Sequence, residues 1–202
     1  MRGKLALEWI ARHIAPGDAL DIGCGTCDAS RFLRDGGWNV TAVDIKKPNG
    51  DCAGIETRKS DALQFLRGEW ERQWDLIWCS HTLEHVLDTH LFLTEVREHL
   101  RNGGWLALVV PPFKSKIVGG HVSLWNAGLV LYRLVLAGID CRDTHIRVNG
   151  SDINVIVQYK RIDTMPELKF ENGDIDLLKA WLPPGLKHGS DSFEGNISLL
   201  NW

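Results

Sequence analysis

No run of apolar residues in this 202-residue chain approaches the ~20 needed to cross a bilayer. The opening stretch MRGKLALEWIARHI is broken by Glu8 and Arg12, so it is expected to be an amphipathic helix and not a secretory signal. A basic excess is also lacking. Lys and Arg number 23 against 26 Asp and Glu, and the formal net charge is −3. That argues against a general nucleic-acid binder, though a local basic patch is compatible with it. There are only five cysteines, an odd number, and no export signal accompanies them, so free thiols in a reducing, cytoplasmic compartment are expected. Repeats and low-complexity tracts are absent. With 44% hydrophobic and 24% charged residues, the chain is sized for one domain around a full core. Tryptophan is the abundant residue, at nine. Some are expected in the core and others on a binding surface or a homodimer interface.

Helical and strand signals alternate along the chain. Leu7, Ile10 and Ile14 recur at helical spacing until Pro16-Gly17, and Ala19 to Ile22 is a short buried strand ended by Gly23. A helix through Ala29, Phe32 and Leu33 follows, then a strand from Asn39 to Val43 ending at Asp44. Residues 46 to 54 are polar and rich in turn formers, so the helix usual at this point is missing. A short strand near Ile55 to Lys59 precedes a helix marked by Ala62, Leu63, Leu66 and Trp70. Asp75 to Cys79 is a strand, Val86 to Leu100 a periodic helix closed by Asn102-Gly103-Gly104, and Trp105 to Val110 a strand stopped by Pro111-Pro112. Leu124 to Ala137 is a helix capped by Gly138. Two closing strands, Asp143–Val148 and Ile153–Tyr159, are joined by the hairpin turn Asn149-Gly150-Ser151. The pattern implies a doubly wound, mostly parallel sheet of seven strands with an antiparallel C-terminal hairpin strand at its edge. In such sheets the ligand lies beyond the C-terminal strand ends.

The residues after each strand therefore carry the chemistry. Asp21-Ile-Gly23-Cys24-Gly25 is a strand-to-helix turn whose glycines permit a tight bend and close approach of a ligand. Asp44, about 20 residues on, closes the next strand, where a carboxylate can accept hydrogen bonds from both ribose hydroxyls. Cys24 and Cys27 form a CxxC pair that could be redox-active at a helix start, but small residues in a ligand loop explain them more simply. A nicotinamide dehydrogenase shares the sheet and the acid, yet its third small residue is poorly matched. His81, Glu84 and His85 form the dense polar cluster HTLEH. Its two histidines have a helical spacing that can hold metal, but the order is not HExxH and a third ligand is not evident. Capping or ligand-floor roles are therefore preferred, and no metal is expected.

ALDIGCGT, VTAVDI, SDAL, DLIWCSHTLEHV and LRNGGWLALVVP, in this order over about residues 18–160, resemble the motifs of class I SAM-dependent methyltransferases. The resemblance implies that S-adenosyl-L-methionine is the cofactor. Asp21, Gly23, Cys24 and Gly25 would border its methionine half. Asp44 would hold the ribose, Ile45 and Ala62 would flank the adenine and Asp61 would bond the adenine amino group. Ser80 and His81 would line the floor. Cys27 stands where a glycine is usual, which implies a bulkier loop. His121, after the fifth strand, corresponds to a histidine carried by similar methyltransferases. It is the first candidate for a general base, with His81 second.

The acceptor is expected to be a hydroxyl of a small molecule or saccharide, because Trp9, Trp125, Trp181 and Trp202 could stack on a ring. The alternative is an inactive SAM-binding module acting as an interaction subunit. Residues 1–160 are expected to form the SAM-binding domain. Residues 161–202, rich in large apolar side chains, should pack back on it and wall the acceptor site.

Overall fold

The computed structural model describes residues 1–69, 71–187, 189 and 191–202. Trp70, assigned above to the third helix, lies outside the described residues.

The elements run α1 Lys4–His13, β1 Asp18–Ile22, α2 Asp28–Asp35, β2 Asn39–Asp44, β3 Glu56–Lys59, α3 Ala62–Gly68, β4 Trp74–Ser80, α4 Thr89–Glu98, β5 Leu100–Val110, α5 Ala127–Leu136, β6 His145–Asn149, β7 Asp152–Gln158, α6 Asp174–Leu178 and β8 Leu199–Leu200. They form one sheet in the order β3-β2-β1-β4-β5-β7-β6-β8. Strands β1 to β5 are parallel, and β7 runs antiparallel to β5 and β6. Strand residues alternate between two apolar layers, as the two-residue strand period requires. Leu20, Ile22, Leu106 and Leu108 pack with α3, α4 and α5, while Ala19, Leu76, Ala107 and Val109 pack with α1 and α2. The order reverses between β1 and β4, which opens a crevice at their C-terminal ends. Among the described residues no helix is long and apolar enough to cross a membrane.

The sheet has eight strands, not seven, because Leu199–Leu200 pairs with β6 at Ile146 and Arg147. A two-residue strand leaves no alternation to detect. The antiparallel strand is also not at the edge, since β7 lies between β5 and β6. As expected, residues 45–55 between β2 and β3 hold no helix.

Three boundaries differ from the periodic reading. The stretch after β4 is a 3-10 turn, Leu83–His85, and α4 begins only at Thr89. The Asp88 side chain there accepts the Leu91 N–H at 2.9 Å, a cap that ends one element and starts the next. Strand β5 begins at Leu100, and Gly103-Gly104 lies within it instead of closing a helix. Its register against β4 shifts between Trp74 and Leu76. A Cβ on Gly104 would meet the Arg101 and Trp74 carbonyl oxygens at 2.9 and 3.1 Å, so this glycine is a packing requirement. Helix α5 starts at Ala127, where Asn126 caps the Leu129 N–H at 2.7 Å. Trp125 is held before it by the Phe113 N–H, which donates to the Trp125 carbonyl at 2.7 Å.

Candidate functional site

A cavity of about 480 Å³ opens at the C-terminal ends of β1, β2 and β4. Gly23, Asp44, Ile45, Asp61, Ala62 and His81 line it, which brings together six of the residues named from the sequence. Asp21, Cys24, Gly25, Ser80 and His121 are not among its lining residues. Its apolar wall includes Leu63, Val86 and Phe92.

The first turn is shaped by its glycines. Gly23 has φ +76°, and a Cβ there would meet Thr82 Oγ1 at 1.9 Å. That hydroxyl donates to the Ile22 carbonyl at 3.2 Å, so β1 and the β4 loop are clasped through space only glycine leaves free. Gly25 has φ +51°, and a Cβ there would meet nothing within 4 Å. Its N–H donates to Asp44 Oδ2 at 3.0 Å, and the Lys46 N–H donates to Oδ1 at 2.8 Å. The Asp44 carboxylate is thereby held rigid at the cavity wall. Each oxygen retains further acceptor capacity. Asp61 caps α3 by accepting the Gln64 N–H at 3.1 Å through Oδ1.

Asp21 sits behind the turn, buried, and accepts the Ser30 hydroxyl at 2.5 Å. Burial pushes its carboxyl up to about 7; the Ser30 bond opposes the rise and Asp44 adds to it. Cys27 occupies the left-handed region at φ 59°, as the usual glycine would. Its thiol is buried, 3.1 Å from Cys52 Sγ and 3.9 Å from Cys24 Sγ, and it does not line the cavity. The bulk expected in the loop therefore points into the core. Burial pushes the Cys24 thiol far above its usual range. Cys27 rises to about 11, through burial and then its contact with Cys52. Neither is a ready thiolate, which removes the physical basis for a redox CxxC.

The β4 side is built differently. His81 has φ 52° and precedes the 3-10 turn, so it does not share a helix with His85. Its Nε2 is 3.0 Å from Asp152 Oδ1 and its Nδ1 is 3.3 Å from Glu84 Oε1. Asp152 also accepts the Gly3 N–H at 3.0 Å. Burial would raise the Asp152 carboxyl, but the Gly3 N–H and His81 outweigh it and hold the group below the ordinary value. Glu84 is fully buried, and neither carboxylate oxygen has a hydrogen-bond partner, the His81 contact being misaligned. His85 lines the cavity, and His85 Nδ1 lies 2.8 Å from the Gly120 carbonyl oxygen. His121 meets His85 edge-on, with ring centroids 4.9 Å apart. One ligand atom each from Glu84, His85 and His121 lies within 4.8 Å of the others. Asp152 and Gly3 carried no sequence signal, because only the fold brings them to this loop.

The tryptophans expected to stack on a sugar are largely used elsewhere. Trp125 is in the core, and Trp9 is 5% exposed. Trp9 sits among Trp105, His145 and Trp202, with ring centroids 4.5 to 6.4 Å away. A second cavity of about 230 Å³ lies between Pro112, Phe113, Trp125 and the tail residues Asn196 to Ser198.

Sheet order, glycine turn and carboxylate placement define the Rossmann-like fold of class I methyltransferases. Residues 20–108 match the family described as "Methyltransferase domain". Over these residues the chain is similar to that domain family. The ubiquinone biosynthesis O-methyltransferase of Rickettsia typhi is 31% identical over 113 residues, covering 52% of this chain and 46% of the relative. The chain spans about half the length of the curated relatives it matches. The 1,6-didemethyltoxoflavin-N1-methyltransferase of Burkholderia thailandensis, solved with its substrate and S-adenosylhomocysteine, superposes with a TM-score of 0.67 at 17% identity. It covers 78% of this chain and 77% of that one. A SAM-dependent methyltransferase from Archaeoglobus fulgidus gives a TM-score of 0.61 at 18% identity, over 77% and 93% of the two chains. At these identities the likeness is one of fold.

Proposed function

We propose that the protein binds S-adenosylmethionine in the 480 Å³ cavity and transfers its methyl group to a hydroxyl of a small molecule. One observation carries this reading. Asp44 and Asp61 line a cavity at the switch point together with Gly23, and the Gly25 N–H of the same turn braces Asp44. The donor set suits the cofactor. Asp44, braced by two backbone N–H groups, can accept from both ribose hydroxyls. Ile45, Ala62 and Leu63 offer apolar flanks for the adenine, and Asp61 keeps an oxygen for its amino group. Asp21, Cys24 and Gly25 border the methionine half from behind the turn, and Ser80 backs the floor. The bound cofactor supplies an activated methyl on a sulfonium. The chain has to align the acceptor in line with it and exclude water, and orientation supplies much of the rate.

His81 is a positioning residue here, since both its ring nitrogens face carboxylates. The proton of an acceptor hydroxyl would leave at His85 and His121, the former on the cavity wall and the latter against it. Relatives named ubiquinone biosynthesis O-methyltransferase support oxygen as the acceptor. The saccharide reading loses two of its four rings, since Trp9 and Trp125 are buried. Residues 161–202 belong with the domain of residues 1–160. Their strand β8 pairs with β6, and Asn196 to Ser198 wall the second cavity on the acceptor side. The five free thiols fit a cytoplasmic setting.

Calorimetric titration with S-adenosylmethionine and S-adenosylhomocysteine tests the first half, and both should bind one to one. Labelled-methyl transfer to a panel of phenols, aliphatic alcohols, saccharides and amines tests the second. Absence of any S-adenosylhomocysteine binding would sink the reading. Transfer only to amines would move the acceptor from oxygen to nitrogen.

A further inference from the structure

We infer that Cys27 and Cys52 form a redox-modification site, a reversible disulfide that clamps the cofactor turn to the crossover between β2 and β3. The bond itself stands apart from the reading of the cavity, while its consequence for ligand binding rests on that reading. Two observations carry the inference. The two sulfurs lie 3.1 Å apart across 25 positions of sequence, about 1 Å from bonding distance. The sulfur of Cys24, the other neighbour of Cys27, is farther away at 3.9 Å.

The second observation is how the two segments are seated. Gly50 lies directly on the turn, where a Cβ would meet the Thr26 carbonyl oxygen at 1.9 Å and Arg31 Nη1 at 2.7 Å. Arg31 Nη1 ties both sides together, donating to the Thr26 carbonyl at 2.9 Å and to the Asp51 carbonyl at 3.3 Å. Arg34 donates to the Ala53 carbonyl. Cys52 is thus held between anchored neighbours, and its own S–H donates to the Gly50 carbonyl at 3.4 Å. Residues 45–55 hold no helix, so the crossover is kept on the turn by hydrogen bonds at an exposed surface. A covalent bond adds what that hold lacks.

The two thiols have different parts in forming it. Cys52 is half-buried and within reach of solvent, whereas Cys27 is buried. Burial, and then the contact with Cys52, pushes the Cys27 thiol up to about 11, so Cys52 meets the oxidant first. The oxidant is a small-molecule disulfide such as oxidised glutathione. Cys52 gives its proton to water, and its sulfur bonds to one sulfur of the oxidant. The oxidant's S–S bond breaks, and one thiolate leaves and takes up a proton. Cys27 then loses its proton, attacks the Cys52 sulfur and displaces the second thiolate, which is protonated in turn. Two protein thiols are oxidised and one small disulfide is reduced to two thiols. The short separation makes the second step intramolecular, which offsets the small thiolate fraction of Cys27. Disulfides in reducing compartments are typically of this transient kind.

The consequence follows from where the bond lies. Cys27 is the N-cap of α2, two residues after Gly25, whose N–H braces Asp44. Cys52 lies on the segment that leaves Asp44 and Ile45, both on the cavity wall. The disulfide joins the same two segments as the Gly25–Asp44 hydrogen bond. With the crossover fixed beforehand, a ligand bound against Asp44 and Ile45 has less chain to order, and the oxidised protein binds it more tightly.

The test uses the full chain, equilibrated in glutathione buffers of rising disulfide fraction, alkylated, and mapped by mass spectrometry without reduction. Free thiols should fall from five to three, with Cys27 and Cys52 joined, and dithiothreitol should restore all five. The oxidised form should melt about 5–10 °C above the reduced form. It should bind S-adenosylhomocysteine at least about threefold more tightly. Cys52→Ser should melt like the reduced wild type and show neither gain, and Cys52→Ala repeats the test should serine unsettle the loop. Five thiols throughout, a Cys24–Cys27 bond instead, or a Cys27–Cys52 bond formed only in urea overturns the site. Equal affinity of the two forms for S-adenosylhomocysteine overturns the clamp. A mapped Cys27–Cys52 bond with no S-adenosylhomocysteine binding in either form supports the disulfide and removes the cofactor reading.

Discussion

The two walls of the cavity are made in different ways. On the β1–β2 wall the working groups are close in sequence, and much of the work is done by backbone. Gly25 and Lys46 give their N–H groups to Asp44, and Gly23 yields its space to Thr82. On the β4–β5 wall the groups are side chains drawn from distant segments. His81 leans on Asp152, Asp152 on Gly3, and Glu84 and His85 meet His121. The first wall is set by local conformation, so damage to it should register in stability and cofactor affinity. The second is assembled by the fold, so changes to its cavity-side histidines should act on the acceptor, while Asp152, which ties Gly3 to His81, carries its share of stability.

The largest expected effect separates the two glycines of the first wall. Gly23→Val places a branched side chain at φ +76° against Thr82, and should cost about 3–5 kcal/mol of stability as well as cofactor binding. Gly25→Ala meets only the cost of its left-handed backbone, about 1–2 kcal/mol, yet should still impair binding because its methyl enters the open turn. Urea melts read the first quantity and titration with S-adenosylhomocysteine the second. Equal melting midpoints for the two variants would break the account of Gly23.

The walls should also answer pH with opposite sign. Asp21 is raised from its ordinary 3.8 to about 7 by burial. The folded state therefore holds its proton more tightly than the unfolded chain. Stability from this group is complete below about pH 4 and is lost as pH rises through about 7, by up to about 4 kcal/mol. Asp152 is lowered, so its contribution is present at neutral pH and disappears as pH falls through its depressed value. Asp21→Asn should flatten the loss between pH 4 and 7, and Asp152→Asn should destabilise by about 1–3 kcal/mol at pH 7. Chemical melts across that range read both, and a wild-type stability that climbs steadily from pH 4 to 7 would contradict the Asp21 assignment.

This division also explains what could be read in advance. The turn Asp21 to Gly25, Asp44 and Asp61 are recognisable because strand ends fix their spacing, and of the residues named there for the cofactor Gly23, Asp44, Ile45, Asp61 and Ala62 line the cavity while Asp21, Cys24 and Gly25 do not. The helix expected from Val86 begins only at Thr89, because the apolar spacing runs on smoothly into α4 while the Asp88 cap sets its start. Gly103-Gly104 looked like a helix stop, but the glycines belong to an irregular strand pressed against β4. The grouping of Glu84 and His85 with His121 was not legible, since 36 residues separate the histidines and only the Gly120 and Val122 backbone bonds close the gap.

Asp44 offers a smaller, cleaner break. Asp44→Ala removes the acceptors of the Gly25 and Lys46 N–H groups along with those proposed for ribose. Asp44→Asn keeps one carbonyl oxygen for the loop. The alanine variant should lose about 1.5–3 kcal/mol of affinity for S-adenosylhomocysteine, roughly 10- to 150-fold, and the asparagine variant less. Affinity unchanged in both would leave Asp44 as a loop residue only.

The smallest effect concerns Asp61, which has a structural role independent of any ligand. It caps α3 through the Gln64 N–H, and removing such a cap costs about 1 kcal/mol. Alanine at this position would therefore confuse lost stability with lost binding. Serine caps as well as aspartate but has a shorter side chain and no charge, so Asp61→Ser should melt within about 0.5 kcal/mol of wild type. If the free carboxylate oxygen meets the adenine amino group, the same variant should bind S-adenosylhomocysteine up to about tenfold more weakly, the loss of one modest hydrogen bond. The comparison between the variants decides the role. Weaker binding in serine and alanine alike, with stability falling only in alanine, assigns Asp61 to both tasks. Wild-type affinity in the serine variant would confine Asp61 to the cap and leave adenine recognition on the first wall to Ile45, Ala62 and Leu63.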